Sequence, residues 1–163
     1  MPFDHSDTYP ADPDAVLAVL TDEDFLREAA AAVGGRVQDV GVERVDGLVT
    51  TTVRLLAPTL GIPSVFTRFV GAEVPVTDRR TWRLDGGAPL HGELDVSAQI
   101  MGRAAELRGE RTLAAEPAGT RSTVTGEARV DAPLVGRQAE SAVRELALVV
   151  LRREGEVLRR RLR

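Results

Sequence analysis

The chain contains no cysteine, which excludes a disulfide framework, a thiolate nucleophile and a thiolate metal site. Lysine is missing too, and all 21 basic residues are arginine. Such one-sided usage looks like codon bias, so an arginine at a given place says little about fork-shaped recognition. Only six aromatic residues occur in 163, leaving little ring volume to fill a core. No run approaches the ~20 consecutive apolar residues of a membrane-spanning helix. The two histidines, His5 and His91, lie far apart, and without cysteine no zinc site is expected. There is no glycine-rich phosphate loop of Walker or Rossmann spacing. Ser64, Ser97, Ser122 and Ser141 lack the context of a nucleophile elbow. No cofactor and no catalytic residue are assigned.

What is present reads as an ordinary globule, 43% hydrophobic and 28% charged, so disorder is not favoured. The length suits one domain, residues 1–163, able to bury roughly 70% of its unfolded surface. The opening "MPFDHSDTYP" is acidic where a secretory leader would be basic and then apolar, so a cytoplasmic location is expected. A net charge of −4 gives no reason to expect nucleic acid as a partner. The charge is uneven, however. Asp4, Asp7, Asp12, Asp14, Asp22, Glu23, Asp24 and Glu28 crowd the first 28 residues against Arg27 alone. The tail gathers Arg152, Arg153, Arg159, Arg160, Arg161 and Arg163 against Glu154 and Glu156. Some of those cations suit the negative pole of a helix end. The rest either reach anionic lipid headgroups, at about 1 kcal/mol each, or sit on a solvated, frayed end.

Along the chain, "FDHSDTY" is a short extended segment. Asp12 as cap, Pro13 at the first helical position, and Val16, Leu17 and Leu20 on one face predict a helix. Thr21 with Asp24 three residues on resembles a capping box opening a second helix. That helix turns Phe25, Leu26, Ala29 and Val33 inward and stops at Gly34-Gly35. From Arg36 the period becomes two. "RVQDVGVERV", Asp46-Gly47 and "LVTTTVRLLA" form a hairpin with Val49, Thr51, Val53 and Leu55 on one face. Further strands carry Trp82 with Leu84; Leu94, Val96, Ala98 and Ile100; Leu107, Gly109, Arg111 and Leu113; and Val124, Gly126, Ala128 and Val130. Seven antiparallel strands result, wet on one face and covered on the other. The last helix is predicted from about Pro133 to Arg160, with Val135, Ala139, Ala142, Val143, Leu146, Val149, Val150 and Val157 as its apolar stripe.

This order resembles the START-like superfamily, also called SRPBCC or birch-pollen-allergen-like, and in particular a branch known only as a domain of unknown function. The carriers are "YPADPDAVLAVLTD", the "RFVG…TDRRTW" segment, and "GEARVDAPLVGRQAESAV" entering the last helix. The family's opening Ala-Pro is interrupted here as Ala11-Asp12-Pro13, with a further proline at Pro10. The resemblance implies an α+β helix-grip fold: a seven-stranded curved antiparallel sheet wrapped around a long C-terminal helix, with two short helices after the first strand. It also implies binding or transport of a small hydrophobic ligand, such as a lipid, sterol or polyketide-like molecule, between that helix and the sheet. Polyketide cyclase or dehydratase chemistry and ligand-free protein interaction are the other activities it implies.

The residues are consistent with a cavity. Ala98, Gly109, Gly126, Ala128, Ala139 and Ala142 all fall on inward faces, and small side chains facing small ones leave either a close approach or a void. The greasy stretch "IPSVFTRFVG" interrupts the strands. Leu60, Ile62, Val65, Phe66, Phe69 and Val70 would cover the mouth of the grip, as a lid or as a fixed plug. Val53, Leu55, Phe66, Phe69 and Trp82 are the expected ligand walls on one side. Val96, Val124, Ala142 and Leu146 are the expected walls on the other.

Arg111 is expected to be buried and so to need an anion, either an acidic ligand headgroup or a structural carboxylate from Glu93, Glu106 or Glu127. His5, Asp7 and Tyr9 share a strand face and would supply acid–base groups if an enzyme were hidden here. Leu148 and Leu151 lie off the predicted helical stripe, where a partner or a second copy would dock.

Overall fold

The computed structural model describes residues 1–59, 71–100 and 102–163. The elements are β1 (Pro2–Tyr9), α1 (Pro13–Leu20), α2 (Glu23–Ala32), β2 (Arg36–Val45), β3 (Leu48–Pro58), β4 (Glu73–Arg83), β5 (Leu90–Ile100), β6 (Arg103–Glu116), β7 (Gly119–Val130) and α3 (Gly136–Arg161). All pairings are antiparallel, in the order β1-β7-β6-β5-β4-β3-β2, so the first strand closes onto the last. This is the expected helix-grip architecture.

Local chemistry explains most boundaries. The Asp12 side chain accepts from the Ala15 N–H at 2.8 Å, and Pro13 opens α1. The second cap lies one residue later than the capping-box reading. Asp22, not Thr21, accepts from the Phe25 N–H at 3.1 Å. Thr21 instead closes α1, its hydroxyl donating to the Leu17 carbonyl at 2.9 Å. Gly34, at φ +79°, ends α2. Asp46 and Gly47, both at positive φ, make the tight β2–β3 turn whose twist matches the strands.

The last helix differs from its predicted form in two respects. It begins at Gly136 because Leu134 adopts φ +73°, which leaves the right-handed helical path. Its inner face is also rotated. Val149, placed on the predicted stripe, is 42% exposed, whereas Leu151, Glu154, Gly155, Val157 and Leu158 are buried. From Leu146 to Leu151 the helix is apolar nearly all round, so periodicity there does not fix its phase. Leu151 is a core residue and Leu148 packs against the same cluster, so these leucines do not form the expected docking patch.

The uneven charge resolves within the molecule. Arg160 and Arg161 reach Glu28, Arg161 also reaches Asp22, and Arg159 pairs with Asp7. Arg153 pairs with Glu156 one turn away. The basic tail is thus held against the acidic start in an ordered helix end, a correction to the frayed-end reading. Most of these pairs are exposed and screened by solvent, so each contributes little to stability.

Several inward glycines are also filled rather than empty. A Cβ on Gly126 would meet the Phe3 ring at 2.8 Å and the Arg108 carbonyl oxygen at 2.5 Å. One on Gly92 would meet the Trp82 ring at 2.8 Å, and one on Gly109 would run into the backbone of Thr125. Here small residues admit rings and bring strands together. Gly126→Ala is accordingly expected to destabilise by about 1–3 kcal/mol through overpacking. Urea titration of the variant checks this, and an unchanged midpoint would mean the Phe3 ring yields freely.

Candidate functional site

The register of the sheet sets a polar belt between two apolar zones. On β6, Leu113 lies in the larger core cluster, Arg111 follows it, and Leu107 packs on the smaller cluster. The same order recurs on the other elements. On β1 it runs Tyr9, then Asp7 and His5, then Phe3; on α3 it runs Leu158, then Glu154, then Leu151. β4 contributes Trp82, then Arg80 and Asp78, and β7 contributes Ser122 before Val124.

The centre of the belt is Glu154, 5% exposed on the inner face of α3. Its Oε2 accepts from Arg80 Nη1 at 2.7 Å, and its Oε1 from Arg111 Nη1 at 2.5 Å. Arg80 also donates through Nε and Nη2 to both oxygens of Asp78, at 3.1 and 3.0 Å. Arg111 donates through Nε to the Ser122 hydroxyl at 2.8 Å. Burial alone would push the Glu154 carboxyl up; the Arg80 and Arg111 guanidinium groups outweigh it and hold the group down at about 2. Burial likewise works against the charge on Arg80, and Asp78 and Glu154 overcome it, so Arg80 stays protonated.

Arg111 is therefore buried as expected, at 2% exposure, but its carboxylate comes from the helix. Glu93, Glu106 and Glu127 fall on strand positions whose side chains do not reach it; Glu127 pairs with Arg129 instead. Sequence reasoning misses Glu154 because it stands in a run of charge, "RREGE", that reads as a solvated face. Its one signal is Gly155. That glycine leaves room for Asp7 and the Tyr9 hydroxyl, whose oxygens would lie 2.8 and 3.1 Å from a Cβ there.

His5, Asp7 and Tyr9 do face inward, each opposite an inner residue of β7. They are largely engaged with one another and with α3. Tyr9 contacts Asp7 at 3.5 Å, Asp7 pairs with Arg159, and that guanidinium lies 5.3 Å from the Tyr9 ring centre. Burial lowers the His5 pKa, with Arg111 and Arg152 adding to the effect, so the imidazole is neutral at pH 7. Burial raises the Tyr9 phenol above its ordinary value. His5 Nε2 and Trp82 Nε1 are enclosed without a hydrogen-bond partner among the described residues. Among the described residues no group of three or more His, Asp or Glu is placed to hold a metal ion.

The expected ligand walls divide into two sets. Val53, Trp82 and Val124 are buried in the two core clusters. Leu55, Val96, Ala142 and Leu146 are only half-buried, although Leu55 and Val96 lie on the inner sheet face. Phe66, Phe69 and the rest of the proposed cover lie outside the described residues. At the base of that segment the Thr59 hydroxyl donates to the Gly71 carbonyl at 2.8 Å. Two open depressions, of about 550 and 520 Å³, lie on the outside of the molecule, beside α2 and on the outer face of β6 and β7.

Comparison with known families decides the relationship. The family described as "Protein of unknown function (DUF2505)" matches residues 4–162. The chain belongs to DUF2505. No curated protein matches the sequence significantly. Among solved structures, TTHA0849 from Thermus thermophilus is 16% identical, with 97% of each chain covered and a TM-score of 0.64. A conserved protein from Geobacillus kaustophilus is 13% identical over 99% of this chain and 95% of that one, with a TM-score of 0.60. A STAR-related lipid transfer protein fragment from Xanthomonas axonopodis is 17% identical over 99% of this chain and 85% of that one, with a TM-score of 0.59. These likenesses establish a START-like fold for the DUF2505 chain. No described helix is long and apolar enough to cross a membrane.

In this DUF2505 chain, Glu154 makes folding acid-sensitive in a definite direction. Its folded pKa lies below the ordinary carboxyl value of 4.5, so its stabilisation is present above pH 4.5 and lost as pH falls towards 2. Glu154→Gln leaves two buried guanidinium groups under-compensated and should cost about 3–5 kcal/mol at pH 7. Chemical denaturation at pH 7 and across the acid range tests both effects. A cost below about 1 kcal/mol, or an acid profile identical to wild type, would show that the belt is not held by this carboxylate.

Proposed function

We propose that the protein binds a small apolar molecule between the N-terminal half of α3 and the inner face of β3 to β6. The observation that carries this reading is the exposure of Asp78. Its side chain is 21% exposed, yet it sits on the inner face of a central strand, opposite Val53 on one side and Val96 on the other. A side chain so placed reaches solvent-sized space only where helix and sheet stand apart. The backbone of α3 comes close to β7, β1, α1 and α2, and the central strands are bridged to it by the long side chains of Arg80 and Arg111. Leu55, Val96, Ala142 and Leu146 border that space. Such a shape, apolar with a few polar groups, is usual for small-molecule sites.

The likeness to a lipid transfer protein supports the fold and not a ligand. In this reading Trp82 and Val124 back the walls. Arg111 lies beneath the floor, with its Nε donating to Ser122 and its Nη1 to Glu154. The ligand is a lipid, sterol or polyketide-like molecule. An enzyme built on His5, Asp7 and Tyr9 is second, since those groups lie on the belt and pair with each other and Arg159.

The test fills the space. Ala142→Phe and Val96→Phe should each lower uptake of the hydrocarbon dye diphenylhexatriene by about tenfold or more, with thermal stability nearly unchanged. Val124→Phe is the contrast, since Val124 is 1% exposed between packed neighbours and the larger ring should instead destabilise the fold. Full dye uptake by both filled variants would place any ligand elsewhere.

A further inference from the structure

The belt is also an ordered chain of charge. It runs Asp78, Arg80, Glu154, Arg111, with the signs alternating at each hydrogen-bonded step. Side-chain exposure falls steadily along it: 21% at Asp78, 10% at Arg80, 6% at Glu154 and 3% at Arg111. The negative end therefore meets the open space, and the positive end is sealed beneath the core and tied to Ser122. A series of alternating charges is close to neutral as a whole, but the group nearest to a guest dominates at short range in a low-dielectric site.

Resting on the binding reading above, we propose that Asp78 is the headgroup subsite, and that it selects an amphiphile carrying a hydrogen-bond donor, a hydroxyl or an ammonium, over one carrying a carboxylate. Each Asp78 oxygen accepts one bond from Arg80 and retains a further acceptor site. A hydroxyl or amino group can fill that site, replacing the water it leaves behind. A carboxylate brings only acceptors, and it meets a fixed anion where the buried arginines are already engaged. Around the subsite, Val53 and Val96 flank Asp78 in register and offer no competing polar group. The apolar remainder of the guest would run along Val96 and Leu146 towards the mouth. Of the two partners expected for Arg111 from the sequence, this choice sets aside the acidic headgroup and keeps the structural carboxylate.

The test holds the tail constant and varies the head. Dodecanol, dodecylamine and dodecanoate, each below its aggregation concentration, compete with diphenylhexatriene on the purified protein at pH 7. Dodecanol and dodecylamine should displace the dye at concentrations about tenfold or more lower than dodecanoate. In Asp78→Asn, confirmed as folded by circular dichroism, that gap should shrink to about twofold, with dye uptake retained. Equal or better displacement by dodecanoate overturns the subsite, and so does an undiminished gap in the folded variant. The wild-type series decides the matter alone if the variant does not fold. Failure to bind the dye or any dodecyl compound would overturn the binding reading itself, a result distinct from binding without headgroup preference.

Discussion

A single carboxylate shared by two arginines is the constraint on which the rest of the interior depends. Glu154 joins the helix to β4 and β6 at once, through partners 74 and 43 residues away in the chain. Burying three charges is expensive, and the mutual attraction of a pair rarely does more than offset that cost. What such an arrangement contributes is geometry. A helix laid on an apolar sheet face can slide or rotate with small loss, because hydrophobic contact is non-directional. Two short hydrogen bonds from opposite sides fix both its rotation and its position along the axis. That is why the buried face of α3 is centred on Leu151, Glu154 and Leu158 and not on the stripe that hydrophobic spacing suggests.

The strands, both short helices, the tight β2–β3 turn and the order of elements are legible in the sequence because each rests on local chemistry. Alternation gives a strand, a capping aspartate followed by proline gives a helix start, and Asp-Gly gives a turn. Two of the errors of detail share one cause. Thr21 and Asp22 are both competent caps and stand side by side, so only geometry separates them. The apolar stretch Leu146–Leu151 likewise satisfies several helical phases. Arg111 is readable as a buried cation from its neighbours Gly109 and Leu113, but its partner is not. Nothing local distinguishes the Glu154 carboxylate from Glu156, its exposed neighbour two residues on. The missing information is tertiary, since it lies in which face of the helix two distant arginines demand.

The same limit applies to the small residues. Gly109 and Gly126 are open in the sequence to either a close approach or a void, and a ring and neighbouring backbone occupy the volume beside them. A glycine in a strand marks close approach as readily as emptiness. The half-buried apolar positions further along the inner sheet face, Leu55 and Val96, carry no such glycine signal. Composition counts missing volume but cannot assign it to a place. Register can, because it states which side chain stands opposite which glycine.

The two halves of α3 consequently serve different ends. The C-terminal half carries Leu151, Glu154, Val157 and Leu158 into the core, and its last turn is tied to α2 by Arg160 and Arg161. Of the residues from Gly136 to Val150 only Ala139 is buried, and the helix starts without a side-chain cap. Buried contact is thus concentrated at one end of the helix and sparse at the other, so the first half has the lower local stability. The buried charge network thus sits in the half of the helix that carries the fold.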